Sequence, residues 1–145
     1  MRIKVAVAVA AFSVAFAGIA VGQDSPIPAR QELMKENGAA MKAASAMAKG
    51  EMAYSEVEAA GAMKIIADNM MEFPGLFPAD SQSGDTKASA KIWEDMDGFK
   101  AASAKTVTDA QAAEAAAADG VEAFKMALGA VGSNCGGCHE VYRTK

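Results

Sequence analysis

Near the end of the chain stands Cys135-Gly136-Gly137-Cys138-His139, which gathers both cysteines of the sequence and its one histidine. Cys-x-x-Cys-His is the attachment signature of a c-type haem. On a helix, residues three apart share a face, so Cys135 and Cys138 can form thioethers with the two vinyl groups on one edge of a porphyrin. His139 then offers an imidazole to the iron as proximal axial ligand. Other uses of two thiols fit less well. A thioredoxin-like redox pair needs a βαβ context, which the chain lacks. A zinc site needs two further ligands, which could come only from carboxylates or from oligomerisation. A disulfide between residues three apart on a helix is poorly shaped. With one His there is no His₂ or His₃ metal site within a chain, and no second imidazole for the sixth position of an iron. That position falls to a Met, a Lys, an exogenous ligand or nothing.

The elements that must position this group follow from composition and periodicity. A chain of 145 residues allows one domain. Roughly a quarter of the positions are Ala, Pro occurs four times and hydrophobic residues make up 52%, which favours helix over sheet. A net charge of −4, a pI near 5.0 and no basic stripe argue against nucleic-acid binding. Arg2 and Lys4 precede an apolar run from Val5 to Ala20, broken only by Ser13, and Ala20-Val21-Gly22 supplies small residues. This predicts a secretory signal over residues 1–22, cleaved after Gly22 or alternatively after Ala17, and export to the periplasm. A retained membrane anchor is the competing reading, at about 17 apolar residues the short limit for a span. The domain is then 23–145, without stable membrane insertion; losing Arg2 and Lys4 leaves 12 basic against 18 acidic residues, a net charge of −6.

Four helical runs are expected in that domain. The first opens at Pro26 and Pro28 and stops at Gly50, with Leu33, Met34, Met41, Ala44 and Met47 at helical spacing. The second starts at Ser55 as N-cap and ends near Phe73-Pro74. Residues 74–87 are loop. The third begins near Ser89, carries Ile92, Met96 and Phe99 at i, i+4 and i+7, and closes at Gly120. The fourth runs from Val121 to the end. Together they predict an all-α, up-down-up-down antiparallel four-helix bundle. In that topology Met34 and His139 each lie about 9 Å from the same end, level across the bundle, whereas Met41 lies about 10 Å deeper and misses the iron. Met70, Met71, Phe73, Phe77, Ile92, Trp93 and Met96 map to the same end as pocket walls. The other methionines read as core filler.

The chain also resembles a known family, the class II c-type cytochromes, of which cytochrome c′ is the type member. The resemblance rests on the haem motif close to the C-terminus followed by Tyr142-Arg143, on Arg30-Gln31-Glu32-Leu33-Met34, and on Lys91-Ile92-Trp93 with Phe99. It implies one covalent haem c in a four-helix bundle, with Arg30 pairing a haem propionate and Arg143 over the His side of the haem. It also implies a divided function. Low-spin members use a Met at the position of Met34 as sixth ligand and carry electrons; high-spin members leave the iron five-coordinate and bind NO and CO. The surroundings of Met34 are more similar to the low-spin branch.

The function expected is therefore a periplasmic monohaem electron carrier, with iron held by His139 and Met34 and with Cys135, Cys138, Arg30, Arg143, Trp93 and Phe77 around the haem. The alternative is a gas-binding protein with an open distal site, and a third is a haem-free disulfide oxidoreductase. No catalytic acid, base or nucleophile is evident, so no enzyme is expected. The acidic balance predicts redox partners with a basic docking face. Either a monomer or a homodimer is compatible with the sequence.

Overall fold

The computed structural model describes residues 25–145; the expected signal at residues 1–22 lies outside the described residues. Five helices follow in order: α1 (Pro26–Ala48), α2 (Glu56–Glu72), the short α3 (Lys91–Glu94), α4 (Met96–Ala116) and α5 (Val121–Tyr142). The four long ones form a ring in which α1 packs on α2, α2 on α4, α4 on α5, and α5 on α1. Each joins its chain neighbour, as an up-down-up-down bundle requires. No named strand occurs among the described residues, and none of their helices is long and apolar enough to cross a membrane.

Local chemistry sets the ends. Ser25 caps α1 by accepting from the Ile27 amide, and Pro26 sits in the first turn, where a missing N–H costs nothing. Gly50, at φ 72°, turns the chain out of α1. Ser55 caps α2 through the Glu58 amide at 3.3 Å, with Glu56 and Glu58 complementing the helix dipole. Gly120, at φ 97°, makes the corner into α5.

Ala44, Ala59, Ala110 and Ala113 are fully buried and let the backbones approach closely. The larger core side chains fall into two groups. Phe124 packs with Tyr54 at 5.9 Å between ring centroids, and the Tyr54 hydroxyl donates to the Ala117 carbonyl at 2.7 Å. A second aromatic cluster links Phe73, Phe77, Phe99, Trp93 and Tyr142, with Phe77 to Phe99 at 4.8 Å and Phe99 to Tyr142 at 5.3 Å. Edge-to-face rings of this kind add to the stabilisation from area burial alone.

The third run is not one helix. It breaks at Asp95, whose backbone leaves helical geometry at φ −137°, ψ 57°, so Ile92 stands on α3, apart from Met96 and Phe99 on α4. Asp95 caps α4 by accepting from the Gly98 amide at 3.2 Å, while its other carboxylate oxygen accepts from the Tyr142 hydroxyl at 3.0 Å. A helical pattern in the sequence continues through a break at a residue that is bonded to a partner 47 residues away. Beyond Tyr142 the chain pairs with the segment before α3: the Ser89 amide donates to the Tyr142 carbonyl at 3.0 Å and the Thr144 amide to the Lys87 carbonyl at 2.9 Å.

Candidate haem site

Of the four helix pairings in the ring, α1 with α5 is the least extensive, and a cavity of about 540 Å³ occupies that seam. Cys135, Cys138 and His139 line it from α5, and Met34 from α1. The sequence spacing thus brings the motif and the expected distal residue to one space. Both cysteines are free thiols, half-buried, and burial pushes their ionisation up; the neighbouring Cys135 adds to the effect at Cys138. Desolvation at the cavity wall, and then the charge of Arg143, hold His139 below the ordinary imidazole range. Its neutral form is the one that can ligate a metal.

The walls are apolar, built from Met34, Met41, Ile66, Met70, Phe73, Phe77, Ile92 and Phe99. Three cations, Arg30, Lys87 and Arg143, also line the space, and among the described residues no carboxylate does. Two thiols on one helix face, a neutral imidazole, thioethers, a largely apolar interior and a local excess of positive charge suit a flat apolar macrocycle with acidic substituents. The residues fit haem c.

Arg30 is 4% exposed although no carboxylate among the described residues forms an ion pair with it. Its Nε donates to the Leu76 carbonyl at 2.6 Å, one terminal nitrogen to the Ser81 carbonyl at 3.1 Å, and the other to the Ser81 hydroxyl. The guanidinium also lies over the Phe77 ring, 3.9 Å from its centroid, which attracts a cation. Desolvation lowers its pKa from the usual arginine value. Three of its five N–H groups are used in fixing the loop after α2, and two remain.

Of the expected wall residues, Met70, Phe73, Phe77 and Ile92 line the cavity. Trp93 does not: it stands behind Phe77, 5.7 Å between ring centroids, and its indole N–H donates to the Phe77 and Pro78 carbonyls. Met71 is 57% exposed, since it follows the inward Met70 by one residue and so points about 100° away on the helix. Met96 packs against the core outside the cavity. Met41, expected too deep, also lines the space, which reaches along α1 from Arg30 to Met41.

Sequence reasoning assigned no place in the site to Asn37, Thr106, Lys87 or Tyr142, all of which line the cavity. Asn37 is buried, and its amide nitrogen donates to the Met70 sulfur at 3.5 Å while its oxygen accepts from Asn69 at 3.0 Å. Its place three residues after Met34 was the available signal. Tyr142 follows His139 at the same interval.

The family model described as Cytochrome C′ matches residues 25–143. The chain is 37% identical to cytochrome c′ of Rhodopseudomonas palustris, covering 100% of this chain and 99% of that one. It is 36% identical to cytochrome c-556 of Agrobacterium fabrum, over 100% and 98%. The solved structure of cytochrome c′ from Rhodopseudomonas palustris superposes with a TM-score of 0.80 at 37% identity, over 85% of this chain and 98% of that one. The chain belongs to the cytochrome c′ family, whose members hold one covalently bound haem c and carry electrons or bind gases without acting as enzymes.

Proposed function

We propose that the protein is an exported one-electron carrier in which Cys135 and Cys138 bind the haem covalently, His139 is the proximal ligand and Met34 the distal one. The observation that carries this reading is the meeting of Met34 on α1 with His139 on α5 in one largely apolar cavity. Haem supplies the one-electron chemistry when bound. The rest falls to the chain. A thioether at Met34 favours reduced iron and raises the potential. Met70, the buried methionine across from α1, has its sulfur engaged by Asn37, whereas among the described residues no hydrogen bond reaches the sulfur of Met34. Arg30 has two N–H groups left for a propionate, and Arg143 flanks the proximal side; a charge-assisted bond at either is stronger than a neutral one. Phe77 carries the Arg30 guanidinium on its face, and Trp93 holds Phe77 from behind. The leader-like residues 1–22 support delivery to the periplasm.

The cytochrome c′ relative favours a second reading, in which the iron is five-coordinate and its open side takes NO or CO. Spectra separate the two. The carrier shows a low-spin oxidised spectrum with a Met-sulfur-to-iron charge-transfer band and no response to CO in the reduced state. A high-spin spectrum altered by CO establishes the second reading. Met34→Ala converts the carrier to a high-spin form; a low-spin spectrum retained in that variant rules out Met34 as ligand.

A further inference from the structure

The last turn of a helix is where the backbone is least held, because its final carbonyls have no partners within the helix. Cys138 and His139 stand in that part of α5, which ends at Tyr142. The end of α5 is nevertheless fastened to other elements. Tyr142 is buried, its ring meets Phe99 edge to face, and its hydroxyl donates to Asp95 at 3.0 Å. Asp95 in turn accepts from the Gly98 amide, so one carboxylate joins the start of α4 to the end of α5. Gly98 is required by that geometry. A Cβ there would lie 2.6 Å from the Tyr142 hydroxyl oxygen and closer still to the Asp95 carboxylate, so any larger residue displaces the pair. Backbone pairing of residues 142–144 with 87–89 secures the same end from the other side.

Tyr142 lies three residues beyond His139 and four beyond Cys138, on the face of α5 that looks into the cavity, and it lines that cavity with them. We propose that Asp95, Gly98 and Tyr142 form a latch that positions His139. The device rests on the reading of His139 as iron ligand. None of the three need touch the iron. They fix the turn from which the imidazole projects, and an axial ligand has to be held to within about 0.5 Å by the residues around it. Asp95 is suited to the task because it has two acceptor oxygens, one for each helix, and because it sits where the third run breaks.

The test uses the haem-loaded protein and two measurements: amide hydrogen exchange over residues 138–143, and the paramagnetically shifted ring protons of His139 in the oxidised state. Tyr142→Phe keeps the ring and removes the donor. It should speed exchange in that segment about tenfold and shift or broaden the His139 signals. Asp95→Ala and Gly98→Ala should do the same, and Asp95→Asn, which keeps one acceptor oxygen, should show a smaller change than Asp95→Ala. Thr108→Ala, an exposed position of α4, serves as control and leaves both readouts unaltered. Faster exchange with unmoved His139 signals overturns the proposal, since the latch would then stabilise the helix end without positioning the ligand; so does the absence of any change. His139→Ala checks the underlying reading separately: a haem spectrum unchanged in that variant removes His139 from the iron, whatever the latch variants do.

Discussion

Arg30 shows how a single side chain can serve both the fold and the site. Its fork matches two carbonyls and a hydroxyl of the loop that follows α2, and its plane covers Phe77. Lysine can reproduce neither the fork nor the stacking. Arg30→Lys is therefore expected to leave buried carbonyl groups of the loop unpaired and to cost about 1–3 kcal/mol, read as a lower urea midpoint. A different balance holds at Asp109. Its carboxylate accepts from Lys105 on its own helix at 2.6 Å and from Asn134 of α5 at 2.7 Å, and these bonds hold its pKa below the usual aspartate value. A carboxyl depressed in the folded state contributes stability above its unfolded pKa and loses it as pH falls through the folded one. The stability difference between the native protein and Asp109→Asn should accordingly be largest near neutrality and shrink on acidification through that range, as followed by urea unfolding at several pH values.

At the level of the helices, most boundaries follow from short-range chemistry, and those were legible. Pro26, Ser55, Gly50 and Gly120 each act within a few residues of their own position. Ser55→Ala should destabilise the bundle by about 1 kcal/mol, measured by thermal or urea unfolding, because the Glu58 amide then loses its cap. The break between α3 and α4 was not legible. Ile92, Met96 and Phe99 repeat at helical spacing straight across Asp95, and that periodicity outweighs the one local signal, an Asp of the kind that caps helices. At the break stands a carboxylate shared between the Gly98 amide and Tyr142, and the second partner comes from the far end of the chain. The short segment before α3 is a similar case. Thr86, Lys87 and Ala88 line the cavity because their backbone is held by residues 142–144 and by the Gln31 amide, which donates to the Asp85 carbonyl at 2.8 Å. No local periodicity could show that.

For the molecule as a whole, the haem motif and Met34 were readable as a site from helical spacing, and of the loop-borne residues Phe77 was readable while Lys87 was not. Cys135, Cys138, His139 and Met34 share one cavity because each sits at a depth fixed by the rise of its own helix. Lys87 reaches the same cavity along a path set by tertiary contacts. Charge has two scales as well. The chain is acidic overall, with a net charge of −4 for the full sequence, while the charged side chains that line the cavity among the described residues are all cations. Long-range attraction of a basic redox partner depends on the first and weakens with salt, since screening at 0.15 M acts over about 8 Å. Electron-transfer rates with such a partner should fall as salt rises; rates independent of salt would remove charge steering from the account.

The second scale bears on the life of the chain before it is complete. Arg30, Lys87 and Arg143 line the cavity beside the seam where α1 and α5 meet least, and among the described residues no acidic side chain lines it. An anionic group bound there would meet all three cations and join the two helices, so that loading would stabilise the fold, by the general linkage of ligand binding to stability. Molecules that never receive the group should open at this seam first and be cut by proteases within α1 or the end of α5, while loaded ones resist. A protein with this arrangement sorts its own population: what persists is the fraction able to work.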